Sequence, residues 1–273
     1  MRREPFPIVG PEALLEISEL CARAVAQPFT SSELGKALFA QDQPAVVRFC
    51  PGVGIVATVR DGDAGFIRLI AVDPDHRAKG YGHTLLATAE SDLEGARTVT
   101  VGADPPYFLF PGVPTSEREL CYLLERHHFM REEVNYNVVI DLEDLPDAPS
   151  DGELLGPADR SSIEAWSHEH WPNWCPELLR AFDQGSLVVT RDRDGIAGVC
   201  AFDVNRKQTL GPIASRPDLI GTGASRGLLL GALERMRDLG YERIEVIWVG
   251  PLVPYFRVGG RIGSLFMVYR KRH

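Results

Sequence analysis

One strand–turn–helix pattern occurs twice in this chain, and the repeat restricts the available folds more than any other feature. "AVDPDHRAKGYGHTLL" (71–86) lies over "ASRPDLIGTGASRGLL" (214–229) without a gap, and Pro74 and Pro217 are 143 residues apart. That offset is about half of the 273 residues, so the chain reads as two copies of one α/β unit. Each copy, at ~135 residues, is long enough to bury its own core.

The surrounding pattern agrees. Before the first turn, "AVVRFC", "GIVATVRDG" and "GFIRLIAV" are short runs rich in β-branched residues, bounded by glycines, and read as strands. After it, "GHTLLATAESDLEGA" reads as an amphipathic helix, "TVTVGAD" as a strand, "SERELCYLLERHHF" as a helix and "VNYNVVIDL" as a strand. "DLEDLPDAPSDGE" (141–153) is acidic, proline-rich and without apolar period, which marks a connection. Helical "RSSIEAWSHEHW" and "PELLRAFDQG", strands "SLVVTRD" and "GIAGVCAFDV", the second turn–helix and strand "RIEVIWVG" follow. The expected class is α/β with a mixed sheet, in two tandem domains at 1–145 and 153–273, joined by a linker at 146–152.

Composition narrows the function. The chain carries 38 acidic against 29 basic side chains, a formal charge of −9, which disfavours nucleic-acid binding. The one dense basic run, "YRKRH", stands at the C-terminal end and reads as a solvated tail. The five cysteines form no C-x-x-C pair, so neither a disulfide framework nor a zinc site is expected. No window approaches the ~20 apolar residues of a membrane span, and "MRREPFPIVG" lacks the apolar stretch of a signal peptide. A cytoplasmic protein without membrane contact is expected.

The chemistry centres on Arg77, Gly80 and Gly82, spaced R-x-x-G-x-G where a strand gives way to a helix. Free N–H groups in a first helical turn, with the helix dipole behind them, attract a phosphate, and glycine permits close approach. Taken alone, such glycines can also start a helix and bind nothing. "GVGIVA" (52–57) matches a dinucleotide pattern but leads into a β-patterned stretch, so it is a strand turn.

The run V-x-P-x-x-R-x-x-G-x-G-x-x-L-L resembles motif A of the GCN5-related N-acetyltransferases, the GNAT superfamily. "YFLFPGVP" (107–114) followed by "LLERHHF", and "WVGPLVPYFRVGGRIGSLFMVYRK" (248–271), resemble a bacterial tandem-domain subgroup. The resemblance implies two GNAT-like acyl-CoA N-acyltransferase domains, acetyl-CoA (coenzyme A) as co-substrate and no metal. It places the pyrophosphate on Arg77, Ala78, Lys79, Gly80, Tyr81, Gly82 and His83. The pantetheine arm would lie along Ile70, Ala71 and Val72, where a strand-end N–H would polarise the thioester carbonyl.

The copies depart from the pattern differently. In the second, Ile220 stands for Arg77 and Ser225 for Gly82, and only Gly223 matches Gly80, which marks a degenerate motif. The usual acid, a tyrosine on the last helix, is matched by Tyr255 in the second copy. In the first, Leu124 takes that place and Tyr122 lies two residues earlier. The insertion "DPPYFLFPGVPTSE" offers Asp104 to catalysis and Tyr107 to the substrate wall; the alternative is a packing loop. "EAWSHEHWPNW" offers His168 as a base and His170, Trp171 and Trp174 as an acceptor pocket, the alternative being an aromatic packing cluster. The function expected is direct acetyl transfer to a primary amine of a small molecule, with a worn, non-turning-over acyl-CoA-binding module as the alternative. A monomer is expected, because a tandem pair can stand in for a dimer.

Overall fold

A computed structural model describes residues 6–27, 29–40, 42–156 and 159–273. The chain forms two compact units, one of Met1–Asn135 with Leu265–His273, the other of Tyr136–Ser264.

In the first unit, helices α1 (Leu14–Ala24) and α2 (Ser31–Phe39) precede strands β1 (Val46–Cys50), β2 (Gly54–Asp61) and β3 (Ala64–Val72). Helix α3 (Tyr81–Asp92) crosses to β4 (Thr98–Val101), and β5 (Val113–Pro114) and α4 (Arg118–Arg126) follow. The sequence reading contains no helix at Ser31–Phe39. Its signal is the T-x-x-E box, in which Thr30 Oγ1 accepts from Glu33 N at 3.2 Å and Glu33 Oε2 accepts from Thr30 N at 2.7 Å.

The β1–β2 and β2–β3 pairs are antiparallel, and the latter turns at Gly62 with φ +55°, the backbone a tight hairpin demands. The α3 crossover makes β3 and β4 parallel. Alternation along β2 feeds two cores. Ile55 and Ala57 face Ile17, Leu20 and Leu34 beneath α1 and α2, whereas Val56 faces Leu85, Leu86 and Ala89 of α3. Burying each such leucine stabilises the fold by ~1.5–3 kcal/mol.

The strand beyond β4 comes from the far end of the chain. Strand β12 (Arg261–Arg272) pairs antiparallel with β4, Tyr269 opposite Val101 and Arg272 opposite Thr98. The division expected at 146–152 groups 265–273 with the second copy, whereas their ladder partners group them with the first. Hydrogen-bond pairing between residues 170 apart leaves no local trace in a sequence.

The second unit repeats the order. The latter part of β6 (Met130–Asp141) pairs antiparallel with β11 (Arg243–Val246), which lies parallel to β10 (Thr209–Ser215). Strands β9 (Gly195–Phe202), β8 (Leu187–Asp192) and β7 (Glu153–Leu154) complete the sheet, each antiparallel to its neighbour. Helices α5 (Arg160–His170) and α6 (Cys175–Asp183) cover one core with Ile163, Trp166 and Leu178. Helix α7 (Ser225–Asp238) covers the other with Leu228, Leu229 and Leu233, and the short α8 (Val253–Phe256) adds Tyr255. No helix of the described residues is long and apolar enough to cross a membrane.

Candidate functional site

The site begins where β3 and β4 part. Their parallel ladder runs from Ala64 opposite Thr98 to Ile67 opposite Val101, and Gly102 N donates to Ile67 O at 2.9 Å. At that point the β2–β3 register shifts, with Thr58 opposite Ile67 and Ala57 opposite Leu69. Arg68 is the extra residue of a bulge, which bends a strand and ends pairing on one side. Residues 69–72 keep their β2 partners but have no ladder on the β4 side. That exposed edge is where an extended, amide-bearing ligand can pair as a strand would.

A cavity of about 550 Å³ fills the gap. Ile70, Ala71 and Val72 line it from β3, and Arg77, Ala78, Gly80, Gly82 and His83 line it from the turn. The turn presents its backbone as an anion cradle. Ala78 and Gly80 adopt φ of +58° and +87°, conformations that aim successive N–H groups inward. The backbone N–H groups of residues 78–83 donate to no acceptor among the described hydrogen bonds. A Cβ on Gly82 would meet Leu123 Cδ2 at 3.1 Å, so the α4 wall tolerates only glycine there without giving way.

Side chains hold the cradle in place. Arg77 donates to the carbonyls of Val72 and Ala24. Asp73 accepts from Asp75 N at 3.0 Å and pairs with Arg23 at 2.6 Å, and the Arg23 hydrogen bond lowers the Asp73 pKa. Lys79 and Tyr81 stand off the cavity wall. Lys79 donates to Asp75 O at 2.7 Å, and the Tyr81 ring packs edge-on to Phe6 and His76.

Asp104 and Tyr107 take a different place from the one the sequence suggests. Asp104 accepts from the buried Arg68 guanidinium at 2.6 Å, and Tyr107 Oη donates to Asp42 at 2.6 Å beneath the same guanidinium. Arg68 also donates to Ala37 O and to Gln43 Oε1. Burial pushes the Asp104 carboxyl up to about 6 despite Arg68. The cluster fixes the bulge from inside; Arg68 alone of it reaches the cavity wall.

Sequence reasoning missed the opposite wall. Glu119, Leu120, Tyr122 and Leu123 line the cavity from α4, with Glu117 at its N-cap. Their spacing of i, i+1, i+3 and i+4 is one face of a helix and was available in the sequence. Leu124, at the place of the usual tyrosine, points into the core and is fully buried, whereas Tyr122 is 62% exposed.

The second unit's turn shares the bond from Ile220 N to Pro217 O with its counterpart from Arg77 N to Pro74 O, but beyond it Thr222 N donates to Leu219 O, Arg226 N to Gly223 O and Ala224 N to Thr222 Oγ1. Half of that cradle is thus spent on itself. Tyr255 sits in the second unit's core, 5% exposed, and burial holds its phenol above the ordinary range. His168 is exposed on α5, while His170 packs edge-on to Trp166. Trp171 and Trp174 stack at 5.5 Å, and Trp171 Nε1 donates to Ser215 O. These aromatics tie α5 and the following turn to the end of β10.

The acetyltransferase (GNAT) family model matches residues 16–105, which contain the parted strands and the cradle. That match spans 90 of the 273 residues, and over it the chain is similar to GNAT N-acetyltransferases. A mycothiol acetyltransferase of Clavibacter sepedonicus is 24% identical over 245 residues, 79% of this chain and 76% of that one. The GCN5-related glucosamine N-acetyltransferase region of a fungal multi-domain GH3 β-N-acetylglucosaminidase superposes with a TM-score of 0.79 at 18% identity. It covers 97% of this chain and 38% of the longer fungal one. A tandem GNAT protein from the clavulanic acid biosynthesis pathway gives a TM-score of 0.71 at 14% identity, covering 98% of both chains. At these identities the structures establish the fold, two GNAT-like domains in tandem. GNAT acetyltransferases use acetyl-CoA as co-substrate. Among the described residues no group of three His, Cys, Asp or Glu side chains is placed to hold a metal.

Proposed function

We propose that the first unit binds acetyl-CoA in the cavity between β3 and β4 and passes the acetyl group directly to a primary amine of a small molecule. The observation that carries this reading is the run of unbonded N–H groups at 78–83 beside the unpaired edge of β3. A diphosphate satisfies the first and a pantetheine arm the second. The second unit, with its self-bonded turn, serves as scaffold.

In the reaction a neutral amine attacks the thioester carbonyl. The N–C bond forms, the C–S bond breaks, and the ammonium proton leaves through a base or water. A backbone N–H on the open edge of β3 supports the oxyanion. Tyr122 is the phenol on the cavity wall suited to protonate the leaving thiolate, in place of the buried Leu124. No cysteine lines the cavity, which supports transfer without an acyl-enzyme. Glu117 and Glu119, on the wall without an ion-pair partner among the described residues, favour an acceptor that arrives as a cation.

The name of the fungal relative supports an amino sugar as the acceptor to try first. The test is thiol release from acetyl-CoA with an amine panel that begins with glucosamine. Release above background with one amine supports the reading. Tight acetyl-CoA binding with no release across the panel supports the alternative, a binding module that lost its acid at Leu124.

A further inference from the structure

Resting on that reading of the cradle, we infer that His83 is a phosphate-facing ligand whose hydrogen-bonding state is set by His127. The two imidazoles take up one proton as a unit and hold the diphosphate more tightly when they do.

His83 lies in the first turn of α3, exposed, on the cavity wall. Its Nδ1 is 2.8 Å from Nε2 of His127, the residue that caps α4. At that distance one proton lies between the rings. The other nitrogen of His127, Nδ1, is 3.7 Å from Glu90 Oε2, and the second oxygen of Glu90 pairs with Lys271.

The neutral pair carries two N–H protons on four nitrogens. One is shared between the rings. The other belongs on His127 Nδ1, because a bare lone pair there would face the Glu90 carboxylate. His83 Nε2 is then left with a lone pair, which repels a phosphate oxygen. A third proton goes to His83 Nε2 whichever ring bears the formal charge. A fourth would set two N–H groups head to head across 2.8 Å, so uptake stops at one. Protonation therefore turns His83 Nε2 from acceptor to donor and adds a positive charge beside the free N–H groups.

The neighbouring charges do not duplicate this. Lys79 and Arg77 are held on backbone carbonyls, Arg126 lies against Tyr122, and Glu117 and Glu119 stand on the cavity wall. His76 is a separate imidazole on that wall, with Nδ1 buried and unpartnered, and His128 follows His127 outside the contact.

The test is calorimetric titration of the full chain with 3′-dephospho-coenzyme A between pH 5.5 and 8, a ligand whose diphosphate stays ionised throughout. Wild type should bind about tenfold more tightly at the acidic end, with proton uptake approaching one at intermediate pH. His83→Gln should show a flat profile, and Glu90→Gln should move the rise to lower pH. Equal pH dependence in wild type and His83→Gln overturns the inference while leaving the cradle intact, as do two separately titrating imidazoles by NMR. Wild type that fails to bind at every pH overturns the proposed function, and this inference with it.

Discussion

Arg77 Nη2 donates to the carbonyl of Ala24 at 3.0 Å, and its Nε to that of Val72 at 3.4 Å. The motif arginine thus ties the turn to the ends of α1 and β3, which under the proposed function leaves a phosphate to the backbone N–H groups. Where Ile220 replaces it, that tie is gone and the turn closes on its own N–H groups.

Arg77→Leu should therefore raise the KM for acetyl-CoA by about tenfold with kcat changed far less. Steady-state kinetics at saturating amine checks this. An unchanged KM would mean that the turn holds its shape unaided.

Tyr122→Phe should lower kcat by about 10–100-fold with little effect on the KM for acetyl-CoA. Tyr255→Phe, a change inside the second unit's core, should leave kcat within about twofold. The reverse order of effects would move the acid to Tyr255.

The buried pair beneath β3 makes a stability prediction. Arg68 and Asp104 are both fully buried, so removing one partner leaves an uncompensated charge. Arg68→Met should destabilise the fold by ~3–5 kcal/mol, and the double change Arg68→Met with Asp104→Leu by less than that. Denaturant unfolding of the two variants decides it; a double change that costs as much as or more than Arg68→Met alone would contradict the account.

Glu177 gives the second unit a pH dependence. Burial pushes its carboxyl up to about 7, against the opposing effects of Arg180 and of Asn205. The folded state then holds a proton that the unfolded chain has released. Stability from this group is complete below the unfolded value of ~4.5 and is lost as pH rises through about 7. Glu177→Gln keeps an acceptor for Asn205 and carries no charge. Its melting temperature should equal that of wild type near pH 4.5 and exceed it at pH 8. A difference that does not vary with pH would contradict the account.

Some of this was legible in the sequence because it is local. The R-x-x-G-x-G turn, the helix after it and the repeat at Pro217 all follow from residues a few positions apart. The ladder that brings 269–272 to β4 is a pairing between distant segments and has no such trace. The sequence offers Asp104 and Tyr107 as polar groups beside the cleft, but both turn to Arg68, drawn inward by the bulge. The contact between His83 and His127 likewise needs α3 and α4 set side by side. At the place of the usual tyrosine, the register of α4 turns Leu124 to the core and brings Tyr122 and Glu119 to the wall.

Calorimetric titration of the protein with acetyl-CoA tests the central claim most directly. The account predicts one equivalent bound per chain, and no binding after Gly82→Val, whose branched side chain starts 3.1 Å from Leu123 and covers the cradle. Two equivalents, or undiminished binding by that variant, would contradict it and place the co-substrate elsewhere than on the turn at 78–83.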